Sequence, residues 1–190
     1  MEDEERRFDK QMEEYAYILD FLPYGKPDDP RRQPVVQLIG ESFFTLLEAY
    51  PKVGKTPGVG ERTYVGKGDR DVIGSIRGRI SYDELTSTSK NSLHEIIIKI
   101  IMAREKEFVD FINRCGPINI HVHQLELIPG IGKKLMQAIL DERAKAPFQS
   151  FSDIEKRVHI SRIPEFLAQR IEDELKKSKY YLFVRPAKYR

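Results

Sequence analysis

The segment Ile128–Lys134 reads IPGIGKK, and it interrupts an apolar pattern that has helical spacing on both sides. Pro129 fixes φ and cannot continue a helix that precedes it. Gly130 and Gly132 permit backbone conformations and close approaches that a Cβ would block. Ile131, between the two glycines, is the side chain that can fasten the turn to an apolar core. The pattern predicts two short helices that are joined by a tight turn.

The start of the second predicted helix has the properties of an anion site. Gly132, Lys133 and Lys134 present backbone N–H groups that have no partner within the helix, and the helix dipole favours a negative charge at that end. A phosphate is the fitting ligand. We therefore expect a phosphate group to bind at Gly130, Ile131, Gly132, Lys133 and Lys134.

Composition indicates an ordinary globular chain. It has 190 residues, of which 40% are hydrophobic and 33% are charged, enough for one domain or two small ones. No apolar run approaches the ~18 residues that cross a bilayer, and the first residues are charged rather than signal-like. We expect a cytoplasmic protein with no membrane contact. The single cysteine, Cys115, excludes an internal disulfide and a cysteine-rich metal site, and we expect it to be a small buried residue.

Charge is distributed unevenly along the chain. Residues 1–14 hold seven acidic and three basic residues, whereas residues 176–190 hold six basic residues and no acidic one. Residues 52–79 combine seven basic residues with seven glycines, a composition typical of a surface that follows a phosphate backbone and stacks on bases. A solvated loop and a frayed tail are the alternative interpretation. The residues of this stretch that we expect to contact nucleic acid are Arg62, Tyr64, Lys67 and Arg70.

The first half of the chain reads as short strands. Prolines make residues 23–34 a loop, and residues 41–50 could equally be a strand or a short helix. Gly74 and Gly78 lie where a small barrel would bend or bulge. Four or five short strands predict a small closed barrel of the oligonucleotide-binding (OB) type over residues 13–85. The strand candidates are Tyr15–Leu22, residues 35–50, residues 61–66 and residues 71–82.

A helix is predicted over residues 86–115. Asn91 or Ser92 can cap it, and apolar residues recur at helical spacing until Gly116 and Pro117 end it. At 1.5 Å per residue it would reach ~30 Å, long enough to bridge two domains. We assign its apolar stripe to packing.

The segment Leu125–Leu140 resembles the helix-hairpin-helix motif of sequence-independent nucleic-acid-binding proteins. The match includes the apolar-Pro-Gly-apolar-Gly core, the lysine after it and the small residue Ala138. Residues 147–158 resemble the connector that leads from one such hairpin to a second. The resemblance implies a tandem helix-hairpin-helix domain over residues 116–178, which makes the whole chain an α+β protein.

A shift by 32 residues aligns the first hairpin with Ile160–Ile171. The apolar positions are kept, but Arg162 and Pro164 replace the two glycines. The second hairpin is therefore degenerate: the resemblance implies that it completes the helical unit, while its capacity to hold a phosphate is left open.

Nearly the whole chain also resembles an archaeal family of unknown function that is described as nucleic-acid or RNA binding. This resemblance rests on the order of the domains and on the stretch GVGERTYVGKGDR, residues 58–70. It implies binding of structured RNA connected with translation, and it carries over no catalytic residue.

Enzyme signatures are absent from the sequence. It contains no Val-Asp-Thr-His segment of the glycosylase type, no Lys-x-Asp-Gly of ligases, no Glu-Arg-Lys-x-x-x-Asp of structure-specific nucleases and no P-loop. His121 and His123 would converge on a metal only from a strand, and no acidic or cysteine partner lies nearby in sequence. We expect no catalysis, no metal and no cofactor.

The sequence thus predicts a noncatalytic, largely sequence-independent nucleic-acid-binding protein, with RNA favoured over DNA. A DNA junction or repair protein is the first alternative, because a bacterial Holliday-junction clamp has the same order of barrel and tandem hairpins. A protein interaction module with an unknown partner is the second. An acidic tail at residues 1–12 and a basic tail at residues 179–190 complete the prediction, with residues 180–184 packed on the body as a strand or extended segment.

Overall fold

The computed structural model describes residues 12–186, and within this range the chain is a mixed α+β protein. The predicted acidic tail, except for Met12, and residues 187–190 of the predicted basic tail lie outside the described residues. The strands are β1 (Tyr15–Leu22), β2 (Val35–Gly40), β3 (Leu46–Pro51), β4 (Arg62–Tyr64) and β5 (Ile73–Arg79). The α-helices are α1 (Ser87–Ala103), α2 (Glu105–Arg114), α3 (Lys133–Lys145), α4 (Phe151–Val158) and α5 (Ile163–Lys176).

The five strands form one antiparallel sheet in the order β4-β1-β2-β3-β5. The sheet curls into a half-barrel, so the predicted closure of the barrel is wrong: β4 and β5 are its two edges. Alternate residues of the strands point to the same face of the sheet, and on one face they pack into an apolar core cluster. The core cluster on that face consists of Ala16, Ile18, Val36, Leu38, Leu47, Ala49, Val65 and Ile73.

The two predicted bends are confirmed. In the pairing of β3 with β5, Glu48 faces Gly78 but Ala49 faces Ile76, and Tyr50 faces Ser75 but Pro51 faces Ile73. An extra residue therefore enters β5 at each shift, beside Gly78 and at Gly74. Bulges of this kind raise the local twist, which helps an edge strand follow a curled sheet.

Residues 41–50 do not form the alternative short helix. A tight turn joins β2 to β3, and Phe44 adopts φ +55° within it. The buried carboxylate of Glu13 accepts the backbone N–H groups of this turn, from Ser42 at 2.8 Å, Phe43 at 2.9 Å and Thr45 at 3.2 Å. These bonds give an acceptor to backbone N–H groups that lie between two strands and belong to no helix.

The predicted bridging helix is divided into α1 and α2 at Arg104, whose φ −115° and ψ 27° leave the helical region. The prediction that Asn91 or Ser92 caps the helix is wrong. The helix begins earlier, where the Thr86 hydroxyl accepts the Ser89 N–H at 3.0 Å. None of the described helices is long and apolar enough to cross a bilayer.

Within the described residues, contacts divide the chain into two compact units, residues 12–96 with 183–186 and residues 97–182. The boundary falls within α1. The first unit contains the half-barrel, and the second contains α2 to α5 together with a 3-10 turn at Gln124–Leu127. Cys115 is buried in the second unit as predicted, and burial raises the pKa of its thiol.

Of the two short helices that the pattern predicts around residues 128–132, the second is present and the first is not an α-helix. The segment before the turn is the 3-10 turn Gln124–Leu127 instead of an α-helix, and α3 follows at Lys133. We call residues 128–132 the hairpin turn. In the aligned second segment, Arg162 adopts φ +73° before α5, and Gly130 adopts φ +92° in the hairpin turn. The position of Gly130 thus keeps its left-handed conformation in the second segment, although an arginine replaces the glycine there.

The C-terminal segment packs without forming a strand in the described residues. In the second unit, Arg170 donates to the carbonyl of Tyr180, and Glu174 accepts the Leu182 N–H at 2.7 Å. In the first unit, Val184 is buried and the Arg185 guanidinium lies 4.1 Å from the centre of the Phe43 ring. The apolar centre of the predicted tail is therefore part of the folded protein.

Candidate nucleic-acid interface

Ile131 anchors the hairpin turn. Its side chain is 4% exposed, and its N–H donates to the carbonyl of Ile128 at 3.0 Å. Both the side chain and the N–H are thus engaged inside the protein. Among the residues that the sequence assigned to ligand binding, Ile131 contributes the fixed shape of the turn.

Gly130 is required by the fold. Its φ of +92° is a conformation that side chains rarely adopt, and a Cβ there would lie 2.9 Å from three ring atoms of Phe166. The missing Cβ of Gly130 therefore makes room for a side chain of α5 and does not open the turn to solvent.

Gly132 differs from Gly130 in both respects. It has φ −80° and ψ 177°, an extended conformation that any residue adopts. Apart from its two neighbours in the chain, no described residue has a heavy atom within 4 Å of the position that its Cβ would take. Neither backbone conformation nor packing requires a glycine here, so the absence of a side chain leaves the turn open to a ligand.

The backbone N–H groups that follow Gly132 are the candidate donors to such a ligand. The first helical bond runs from Met136 N–H to the carbonyl of Gly132 at 2.9 Å, and Gly132 supplies no side-chain cap. For the N–H groups of Lys133, Lys134 and Leu135 we find no acceptor within residues 12–186. Because the side chains of Lys133 and Lys134 are exposed, the helix dipole and two mobile cations can act on one anion.

Helix α5 holds the hairpin turn through two residues that are four apart. Phe166 packs against Gly130, and Arg170 donates to the carbonyl of Leu127 at 3.2 Å. Arg170 is itself paired with Glu174 at 2.8 Å, and both side chains are buried. The position of the turn therefore depends on a buried ion pair that the sequence pattern did not reveal.

Arg62, in the half-barrel, is engaged with protein groups. Its guanidinium pairs with Glu41, with Nη2 donating to Oε1 at 3.1 Å, and it lies 3.7 Å from the centre of the Tyr15 ring. The hydrogen bond to Glu41 raises the pKa of Arg62. A phosphate that approached Arg62 would have to compete with this carboxylate.

Tyr64 packs into its own loop. Its ring meets the edge of Tyr15 with centroids 5.4 Å apart, and its hydroxyl accepts the Gly68 N–H at 3.2 Å. A Cβ at Gly66 would lie 2.8 Å from a ring carbon of Tyr64. The glycines of this stretch therefore make room for the tyrosine ring.

Arg70 contacts the backbone of its own loop, and Lys67 lines a pocket together with Tyr64. The Arg70 side chain donates to the carbonyls of Gly66 at 2.7 Å and Gly74 at 3.3 Å, which fixes the loop, and Lys67 is exposed. The structure thus joins Arg62 and Tyr64 through Tyr15, and gives Arg70 a separate contact with the backbone.

Sequence reasoning missed Tyr15 and Glu41 as members of this cluster. The available signal was strand pairing: Tyr15 faces Tyr64 across β1 and β4, and Tyr17 faces Arg62. Residues that face each other on antiparallel strands contact through their side chains. The pairing of β1 with β4 was not predicted, so the contact could not be.

His121 and His123 belong to no cluster of potential metal ligands within residues 12–186. His123 Nδ1 accepts the Leu125 N–H at 3.1 Å and caps the 3-10 turn, and burial lowers the pKa of its imidazole. The described part of the chain contains no group of three or more His, Cys, Asp or Glu side chains that could hold a metal ion.

Gly130→Ala is expected to destabilise the protein by about 1–3 kcal/mol, the usual cost of a strained backbone position, because of its positive φ and the contact with Phe166. Urea unfolding measures the change. Gly116→Ala is the matched control, since Gly116 has no positive φ and no heavy atom of residues 12–186 near its Cβ position. Equal stability of the two variants would contradict the structural role of Gly130.

Comparison with known proteins finds archaeal relatives. The chain is 44% identical over 191 residues to "Uncharacterized protein MJ0038" of Methanocaldococcus jannaschii. The alignment covers 96% of this chain and 87% of the relative. It is also similar to the crystal structure of Af1531 from Archaeoglobus fulgidus, with a TM-score of 0.85 and 48% identity, over 91% of this chain and 100% of that one.

Af1531 is described as a DUF655 protein. The same family, whose description is "Protein of unknown function (DUF655)", matches residues 12–185 of this chain. That match covers nearly all of the described structure, and both relatives align over more than nine-tenths of the chain. The chain belongs to the DUF655 family.

Proposed function

We propose that this protein is a noncatalytic nucleic-acid-binding protein that holds a backbone phosphate at the N-terminus of α3. The observation that carries the proposal is Gly132, a glycine that the fold does not require, placed at the open end of a helix. The N–H groups of Lys133 to Leu135 would donate to the phosphate, and the side chains of Lys133 and Lys134 would neutralise it. Such contacts read no base, so the binding is largely independent of sequence.

The proposal treats residues 124–145 and 151–176 as a tandem helix-hairpin-helix unit, and the half-barrel as an OB-like fold. The shared left-handed residue of the two turns, Gly130 and Arg162, supports the first assignment. Five antiparallel strands in a partly open barrel support the second. Pro164 follows Arg162 within the first turn of α5 and removes one N–H donor, so the proposed phosphate site belongs to the first hairpin.

Gly132→Asp separates binding from stability. Aspartate is a preferred N-cap residue, so its carboxylate would accept the N–H groups of α3 and stabilise the helix. The same carboxylate would occupy the phosphate position and repel a phosphate. We expect the affinity for a nucleic-acid duplex to fall at least tenfold, about 1.4 kcal/mol, while the stability is unchanged or higher. Fluorescence anisotropy and urea unfolding measure the two quantities.

Two control variants make this result specific. Gly116→Asp adds the same charge at an open glycine of the same unit and should leave the affinity nearly unchanged. Gly132→Asn caps the helix without the charge. Its affinity for the duplex should lie between those of the native chain and of Gly132→Asp. The proposal is refuted if folded Gly132→Asp binds as tightly as the native chain.

The nucleic acid is proposed to be RNA, with a DNA duplex or junction as the alternative. The same titration with RNA duplex, DNA duplex and four-way DNA junction of equal strand length ranks these ligands. Tighter binding of the junction than of either duplex would favour the alternative.

A second candidate function is a protein interaction module, and one loop favours it. Gly116 and Gln124 close residues 117–123 by mutual hydrogen bonds of 2.9 and 3.0 Å. Ile120 is 93% exposed and Ile118 is 36% exposed on this ordered loop. Salt dependence discriminates the two functions: phosphate binding weakens linearly in log salt, while an apolar interface changes little.

A further inference from the structure

The loop between β1 and β2, residues 23–34, is built from three turns that each contain a proline. Gly25 N–H donates to Leu22 at 3.2 Å, Asp29 N–H to Lys26 at 3.1 Å and Arg32 N–H to Asp29 at 3.0 Å. The residue after the first position of each turn is Pro23, Pro27 and Pro30, the position at which proline presets the turn. We call this segment the proline loop. Its conformation is largely fixed by its own sequence.

Contacts with the sheet fix the proline loop further. Lys26 pairs with the buried carboxylate of Glu48 in β3, and Asp29 lies 3.8 Å from the guanidinium of Arg77 in β5. The two ends of the loop also meet, because a Cβ at Gly25 would lie 2.6 Å from the carbonyl oxygen of Gln33. A ligand that bound here would order little additional chain, which lowers the cost of binding.

Three side chains of the proline loop are turned outward and are not used by the fold. Tyr24 is 82% exposed, and Arg31 and Arg32 are exposed. For these three side chains we find neither a hydrogen bond nor an ion pair to any residue between 12 and 186. Of the two acidic residues in the loop, Asp29 is engaged with Arg77 and with the Arg31 N–H, and Asp28 is exposed.

An exposed aromatic ring and two unpaired guanidinium groups on one fixed loop suit one class of ligand. Bases of a single strand stack on aromatic faces, and arginine donates to phosphate oxygens in a fixed fork. In a duplex the bases are already stacked, so a lone tyrosine ring gains little. The combination therefore selects unpaired nucleotides over paired ones.

We propose that the proline loop is a second nucleic-acid contact, which binds a single-stranded segment by stacking a base on Tyr24 and pairing phosphates with Arg31 and Arg32. This inference rests on the proposed function of the chain. It assigns single-strand binding in the first unit to the proline loop instead of to Arg62 and Arg70, whose guanidinium groups are engaged with Glu41 and with backbone carbonyls.

The test begins with the affinity for a 12-nucleotide oligouridylate RNA, which forms no stable duplex. Tyr24→Ala should weaken binding at least about fivefold, the lower range for one stacked base. Tyr24→Phe keeps the ring and should stay within about twofold. Val53→Ala is the matched control, because Val53 is a fully exposed apolar residue on another loop of the same unit.

A spectroscopic readout reports contact independently of affinity. The chain contains no tryptophan, so Tyr24→Trp introduces a single indole. Stacking of a base on this indole should quench its emission as oligouridylate is added, and Val53→Trp should show no saturable quenching. Saturable binding of oligouridylate that leaves the emission of Tyr24→Trp unchanged would overturn the proposal.

The outcomes separate this inference from the proposed function. If Gly132→Asp loses duplex binding but Tyr24→Ala binds oligouridylate as tightly as the native chain, the proposed function stands and the proline-loop contact is refuted. If the native chain binds neither oligouridylate nor duplex, both are refuted. If Tyr24→Ala and Tyr24→Trp behave as expected while Gly132→Asp has no effect, the proline loop is the site and the hairpin is not.

Discussion

The double variant Lys133→Glu/Lys134→Glu is expected to bind a nucleic-acid duplex more than a hundredfold more weakly than the native chain. Two charge-assisted contacts at about 1.5 kcal/mol each amount to about 3 kcal/mol, and about 1.4 kcal/mol corresponds to a factor of ten. The slope of log affinity against log salt should also flatten by about 1.8, at ~0.9 for each duplex phosphate. Anisotropy titrations over a range of salt measure both effects.

Lys106→Glu/Lys156→Glu is the control for net charge. Both lysines are exposed on helices of the second unit, Lys106 on α2 and Lys156 on α4, so the double variant changes the charge of that unit by the same amount. Its affinity should fall only slightly. Equal losses for the two double variants would mean that general attraction, and no defined site, holds the nucleic acid.

Glu174→Ala is expected to destabilise the protein by about 3–5 kcal/mol, the cost of leaving one buried charge without its partner. The Arg170–Glu174 pair is buried, with side chains 9% and 0% exposed. Glu174 also accepts the Leu182 N–H, and Arg170 donates to the carbonyls of Leu127 and Tyr180. The loss should therefore appear in urea unfolding and also as weaker duplex binding, because Arg170 helps to hold the hairpin turn.

Replacement of the whole pair tests this explanation. Arg170→Met/Glu174→Leu leaves no unpaired charge and should be much more stable than Glu174→Ala. Lys145→Ala removes an exposed pair with Glu142 and should cost less than about 1 kcal/mol. If Glu174→Ala costs no more than Lys145→Ala, the buried pair does not hold the second unit together.

The elements that the sequence predicted well are those that local chemistry dictates. Tyr15–Leu22 forms β1 because aromatic and β-branched residues favour strands, and the prolines of residues 23–34 exclude regular structure. Gly78 adopts φ +151° beside one bulge of β5, and Gly74 is the extra residue of the other. Each of these signals lies within a few residues of its effect.

The features that were missed depend on residues that are distant in sequence. The turn after β2 is fastened by Glu13, 29 to 32 residues away, and no local pattern announces that bond. The closure of the barrel was predicted wrongly because pairing between edge strands is a tertiary property. The helix break at Arg104 has no glycine or proline beside it that would announce it in the sequence.

In the candidate site, too, local sequence predicted some features and contacts between distant residues decided the others. The motif around Gly130 and Gly132 was recognisable, but it did not distinguish a glycine that packs against Phe166 from one that faces open space. Composition identified a basic, glycine-rich stretch, yet Arg62 is paired with Glu41, while Arg31 and Arg32 lie outside that stretch. Which charges remain available for a ligand is decided by tertiary contacts.

The most direct test of the central claim, that phosphate binds at the start of α3, is an amide spectrum. At 22.2 kDa the ¹⁵N-labelled chain is within reach of two-dimensional NMR, and a duplex RNA can be added stepwise. We expect the N–H signals of Lys133, Lys134 and Leu135 to shift most strongly and to saturate together with the anisotropy signal. Saturable binding of the RNA that leaves these three signals unmoved would contradict the account.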